Sequence, residues 1–233
     1  LFFANVHADD APQTVRVDYF HSGNADSEMF SLHQVVIEAL PWPGHRDKAI
    51  DTVRRGYFMF QVEDPDTGEI LFSRGFSSIF QEWQSIGEAQ EMNRTFHESV
   101  RFPKPQKPVL LRILKRNPEQ GFDSVWTVNI DTDDMLVVRA HAPAPAELLQ
   151  LHVSGEPARK VDLVILGDGY TEQESGKFAA DARRLTEALF TYSPFKERAG
   201  DFNVWGLAPP AVESGVNRPS NGTIRHSPSA TTY

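Results

Sequence analysis

Lys160 to Trp205 reads KVDLVILGDGYTEQESGKFAADARRLTEALFTYSPFKERAGDFNVW, and the fold class turns on this stretch. Val161, Leu163, Val164, Ile165 and Leu166 form a short apolar run whose β-branched content marks a buried strand. Gly167, Asp168 and Gly169 break it. Thr171 followed by Glu174 is a capping-box pattern, which starts a helix near Glu172. Phe178, Ala182, Leu185 and Leu189 recur at helical spacing and predict a buried stripe, with Lys177, Asp181, Arg184 and Glu187 turned toward solvent. Pro194 stops the helix, and Phe202, Val204 and Trp205 begin another extended segment that ends at Pro209-Pro210. Strand, glycine turn, helix and strand together open an α/β domain.

The preceding residues follow a different period. TVRVDYF, Thr14 to Phe20, alternates as a strand, and His21 to Asp26 reads as a loop. FSLHQVVIEAL, Phe30 to Leu40, is strand by its β-branched centre and the following Pro41 and Pro43. Tyr57 to Phe76 is a hairpin closed by Pro65-Asp66-Thr67-Gly68, where proline presets the turn and glycine takes the left-handed position. A short helix within Gln81 to Asn93, a strand from Thr95 to Phe102, VLLRILKR from Val109 and VWTVNID from Val125 complete the pattern. Short strands at turn-marked intervals predict an antiparallel β-sandwich. Pro143, Pro145 and their alanine neighbours separate the two periods.

The expected fold is therefore mixed, an N-terminal antiparallel β-sandwich followed by the first part of an α/β domain. Residues 1–8, LFFANVHA, read as the tail of a secretory signal, which implies a secreted or periplasmic protein. Residues 9–142 form the sandwich, 143–158 a linker, and 159–233 the α/β part. The last residues run to Tyr233 through Ser, Asn, Thr and Pro without a closing strand, so the C-terminus is expected to be cut as well.

A formal net charge of −9 and the lack of a basic run argue against nucleic acid and anionic membranes as partners. No apolar run approaches the roughly 18 residues of a membrane span. The absence of cysteine removes disulfides, thiolate nucleophiles and thiolate metal sites together. The sequence defines no oligomeric state.

Gly167-Asp168-Gly169 between strand and helix invites a dinucleotide-binding reading, but Glu172 stands where the third glycine belongs and Glu174 follows. A tight turn with carboxylates at a helix N-terminus fits better. Asp168 keeps a functional claim because it sits at the carboxyl end of a strand. There is no G-x-S-x-G pentapeptide. None of the eight histidines lies three to five residues from another, so no single helix or strand offers two imidazoles to one metal. FHESVR, Phe96 to Arg101, starts like a zinc-peptidase helix but has Arg101 in place of the second histidine. Asp131, Asp133 and Asp134 read as a turn rather than a calcium loop. No catalytic residue and no metal ligand is assigned; His97, Glu98, Asp168, Glu213 and His226 are the first to test.

Three stretches carry a resemblance to a family: VDLVILGDGYTEQESGKF with the later FNVWGLAPPAVESGVNRP, EILFSRGFSSIFQEW with FHESVRFPKP, and the strand-rich first half. Together they resemble the M64, or IgA peptidase, family of secreted zinc metallopeptidases. The resemblance implies a β-sandwich ahead of a zincin-like catalytic domain, a protein or peptide substrate, and a His-Glu-x-x-His helix whose glutamate is general base on a zinc-bound water. That motif does not occur in these residues. Zinc is thus expected in the full-length parent, with none bound by this chain, which alone should be inactive. The alternative is a noncatalytic secreted β-sandwich that binds glycan or protein, with Trp42 and Trp83 as candidate contacts.

Overall fold

The structure, a computed structural model, describes residues 11–45, 47–142 and 148–232. The expected signal tail at 1–8 and the first residues of the expected linker lie outside them. The chain divides into two compact units, Leu1–Pro143 and Ala144–Tyr233.

The first unit carries β1 (Gln13–Gly23), β2 (Glu28–Pro41), β3 (Phe58–Glu63), β4 (Ile70–Phe76), α1 (Ile79–Gln84), α2 (Glu88–Glu91), β5 (Arg94–Pro103), β6 (Val109–Arg116), β7 (Phe122–Ile130) and β8 (Val138–Arg139). They form two four-stranded sheets, ordered β5-β1-β2-β8 and β4-β3-β6-β7. One core joins the sheets: Val15, Val17, Tyr19, Val100 and Phe102 from the first meet Phe58, Phe60, Val62, Leu111 and Ile113 from the second. Alternation along each strand sends these side chains inward, and full burial contributes about 1.5–3 kcal/mol for each large apolar one. The hairpin forms as its turn residues dictate. Gly68 has φ +73°, its N–H donates to Asp64 O at 2.8 Å, and Asp64 Oδ1 accepts from the Asp66 and Thr67 amides.

Two expectations for this unit are corrected. The first sheet is mixed, because β8 pairs parallel to β2 through Val138 and Arg139. The loop expected over His21 to Asp26 is shorter, starting at Asn24, since β1 continues to Gly23. The strand is paired there on both sides, His21 with Phe30 of β2 and with Phe96 of β5, so its backbone groups are satisfied by two ladders. His21 itself points inward and is fully buried.

The second unit carries β9 (Leu149–His152), β10 (Val161–Leu166), α3 (Ser175–Leu189) and β11 (Phe202–Leu207). β10 and β11 run parallel in register Val161 to Phe202, and α3 connects them, so the stretch that decides the fold is a βαβ unit. β9 lies antiparallel on the far edge of β11. The expected linker of 143–158 is corrected here, since its described part contains a strand. LQLH covers an otherwise open edge of β11, and Asn203 Oδ1 accepts from the Ser154 and Gly155 amides at 2.8 and 3.2 Å to hold the turn that follows.

The buried stripe of α3 also differs. Phe178, Ala182 and Thr186 are buried, Thr186 at 6% exposure, whereas Leu185 is 50% exposed. Residues four apart keep to one narrow line down the helix, and a helix on a small sheet buries little more than that line. Thr186 satisfies its hydroxyl inside the helix by donating to Ala182 O at 2.8 Å.

Candidate functional site

The carboxyl end of β10 is where the second unit gathers polar groups. Gly167 lies against the α3 stripe: a Cβ there would stand 2.6 Å from Phe178 Cδ2 and 2.7 Å from Ala208 Cβ. Gly169 has φ +74°, and a Cβ on it would come within 2.5 Å of Gly215 O. Both glycines permit close approach of chain to chain, a packing reason for a pattern that resembles a phosphate loop. Asp168 between them points at the C-terminal segment. Its Oδ2 accepts from Ser227 Oγ at 2.8 Å and the Thr231 amide at 3.0 Å, and its Oδ1 from the Ser229 amide at 3.2 Å.

Two further carboxylates tie the same loops. Glu174 Oε2 accepts from the Thr171 amide at 3.0 Å and the Thr171 hydroxyl at 3.1 Å, while its Oε1 accepts from Ser214 Oγ at 2.9 Å. Glu213 accepts from Arg225 Nη1 and from the His226 amide. The polar stretch after β11 is therefore an organised loop cradle. Its N–H groups also close on the turn, with Gly215 N–H donating to Gly169 O and Ala211 N–H to Tyr170 O, both at 2.8 Å.

These contacts set the electrostatics. Asp168 is held well below the usual carboxylate range, by the hydroxyl and amide of Thr231 and by Ser227 and Ser229, against an opposing effect of burial. Glu213 is lowered by the His226 amide and Arg225, and Glu174 by the Thr171 amide and Ser214. Carboxylates stabilised as anions by so many donors are weak proton acceptors near neutrality. Asp168 thus works as a clamp on residues 227–231. Two openings lie at this end of the unit, the first of them against Asp168. A cavity of about 450 Å³ is lined by Asp168, Tyr170, Lys177, Ser214 and Arg225, and a groove of about 830 Å³ by Leu149, Tyr170, Phe178, Leu207 and Pro209. Both have the size of ligand sites.

The remaining candidates are dispersed. His226 meets Glu213 through its backbone, and His152 Nε2 lies 3.0 Å from Ala199 O and 2.9 Å from Ser154 Oγ. FHESVR lies on β5, paired residue by residue with β1, so His97 and Glu98 point to opposite faces of a sheet. Glu98 reaches the buried His21, and His97 Nε2 lies 3.1 Å from His33 Nδ1. Asp131 accepts from the Asp133 amide at 2.9 Å in a turn. Trp83 is buried, with its Nε1 donating to Glu88, and Trp42 packs against the sandwich core edge-on to Phe72. Neither tryptophan is the protruding contact that a glycan-binding face requires. The pairing of His33 with His97 had no signal in residue spacing, because it depends on strand register.

Among the described residues one group of three metal-capable side chains is close enough to share an ion, Asp18, His33 and His97, and it belongs to the first unit. Among the described residues of the second unit no such group of donors converges, and these residues do not fit a catalytic zinc.

A two-sheet β unit followed by a βαβ unit with clefts at its strand ends defines a two-part protein, its second part of the kind that holds ligands beyond the carboxyl ends of its strands. Family comparison divides the chain in the same way: the family described as Peptidase M64 N-terminus matches residues 7–127, and that described as IgA Peptidase M64 matches residues 149–233. The chain belongs to the M64 peptidase family. No curated protein matches it.

Proposed function

We propose that the chain is the accessory β-sandwich and the opening part of a zincin-like catalytic domain in a secreted or periplasmic zinc endopeptidase. The observation that carries this reading is the family match, two M64 components in succession over residues 7–127 and 149–233. Zinc would supply a polarised water as nucleophile. The residues present contribute framework: the βαβ unit, the loops clamped by Asp168 and Glu174, and an apolar groove of about 830 Å³ suited to side chains of a peptide substrate. The zinc ligands and the general base belong to a His-Glu-x-x-His helix that these residues do not include.

The test compares two chains on immunoglobulin A and on a broad peptide library, each with zinc and with chelator. The 233-residue chain is expected to cleave nothing. A chain continued past Tyr233 along its genomic reading frame is expected to contain the zinc motif and to cleave in a chelator-sensitive way. Chelator-sensitive cleavage by the shorter chain, or a continuation without the motif, would overturn the proposal.

A further inference from the structure

His33 and His97 come from different strands and meet on the outer face of the first sheet. His97 is paired with Phe20 across the β1–β5 ladder. On the other side of β1 the register slips between Asp18, paired with Gln34, and Tyr19, paired with Leu32, so His33 is the extra residue of that irregularity. Both imidazoles rest on Phe20, at ring-centroid distances of 5.0 and 5.3 Å. Their facing nitrogens, His33 Nδ1 and His97 Nε2, are 3.1 Å apart. Two nitrogens bound to one zinc at its usual bond length and tetrahedral angle are separated by about 3.3 Å.

Asp18 completes the set, with one ligand atom from each residue lying within 4.8 Å of the others. It is 2% exposed. Its carboxylate accepts from Arg16 Nε at 2.8 Å, Arg16 Nη2 at 3.1 Å and Gln34 Nε2 at 2.8 Å. Those three bonds fix its orientation and leave one of its roughly four acceptor positions. Arg16 and Arg101 both pair with Glu38, and Arg16 pairs with Asp18 as well, so these four side chains together carry no net charge. A dication is therefore held by ligation to the two imidazoles and the Asp18 oxygen rather than drawn in by net charge.

We propose that His33 Nδ1, His97 Nε2 and the Asp18 carboxylate form a binding site for a zinc-like divalent transition ion, with water in the fourth position. Imidazole and carboxylate together suit zinc, nickel and copper, and not the all-oxygen preference of calcium or magnesium. The ligands come from β2, β5 and the strand between them, so the ion cross-braces three strands. The site lies in the accessory unit and is independent of the peptidase centre proposed above, to which the 233-residue chain contributes no ligand.

The test uses the whole chain, stripped with chelator and titrated with zinc chloride by calorimetry and with cobalt(II) by visible absorption. One ion per chain is expected, with cobalt bands of a low-coordinate nitrogen and oxygen site. His33→Ala and His97→Ala, both at exposed positions, should each weaken binding by at least about 100-fold with the far-ultraviolet dichroism unchanged. Zinc should raise the melting temperature of the parent chain and not of His97→Ala. Asp18→Asn should weaken binding by about tenfold or more; if that variant loses its fold, the histidine variants decide alone. Absence of a stoichiometric ion, or binding that survives both histidine substitutions, would overturn the site.

Discussion

His21 Nδ1 lies 3.3 Å from Glu98 Oε2 inside the sandwich, with no part of the imidazole exposed. Its other nitrogen is 3.2 Å from Glu28 Oε2, and its ring is stacked between Phe30 and Phe80 at centroid distances of 4.0 and 3.8 Å. Lys115 adds a second cation on Glu28 at 2.7 Å. Burial works against the imidazolium, but the hydrogen bonds and charges of Glu28 and Glu98 outweigh it and raise His21 above its ordinary value. For Glu28, burial is outweighed by His21 and Lys115, and it is lowered.

The signs give a pH window. A raised histidine stabilises the folded state fully below its unfolded value of about 6.5, and that stabilisation is lost as pH rises through the folded value. A lowered glutamate stabilises above its unfolded value of about 4.3, and that is lost as pH falls through the folded value. The cluster therefore contributes most between about pH 4.5 and 6.5. Urea midpoints measured by tryptophan fluorescence should fall from pH 6 to pH 8.5, and less steeply in His21→Gln. A parent profile flat over that range would show that His21 is not charged. His21→Phe keeps the stacking but takes the histidine from Glu98 and leaves Glu28 with Lys115 alone, and should cost about 3–5 kcal/mol.

Phe178→Ala and Leu185→Ala separate the buried line of α3 from its exposed side. Phe178 is 7% exposed and packs beneath Gly167 and Gly206, so its truncation should cost about 3–5 kcal/mol. Leu185 is 50% exposed, and its truncation should stay within about 0.5 kcal/mol. Denaturant unfolding of both variants checks the order, and equal losses would mean that the helix packs by another face.

Gly167→Ala tests the close approach directly. An added methyl at 2.6 Å from Phe178 Cδ2 forces that ring or the β10 terminus to move, for a cost of about 1–3 kcal/mol. Gly176→Ala in the first turn of α3 meets nothing within 4 Å and should be neutral or slightly stabilising. Thermal unfolding of the pair separates steric from conformational effects.

Asp168→Asn removes the anion that gathers residues 227–231. The Ser229 and Thr231 amides donate to it at 3.2 and 3.0 Å, and their hydrogen exchange should accelerate by about tenfold, with β10 amides unchanged. Unchanged exchange at both would show that the cradle holds without its clamp.

Residue order alone determined the parts of this protein governed by short-range rules. Pro65 to Gly68 closes a hairpin because turn geometry is set within four residues, and Thr171 with Glu174 starts a helix because cap donors and acceptors are three residues apart. The switch from period two to period 3.6 separated the sandwich from the βαβ unit, and the order of motifs pointed to the M64 family. Tertiary structure decided what depends on register and on neighbouring surfaces. Leu185 and Thr186 differ by one position on a helix, and only the surface on which the helix packs chooses which is buried. LQLH becomes a strand because β11 offers it an edge. His21 becomes a buried cation because strands on both sides of β1 bring Glu28 and Glu98 to its two nitrogens. His33 and His97, 64 positions apart in sequence, become neighbours through a slip in one ladder and a straight register in the other, information that no spacing along the chain contains.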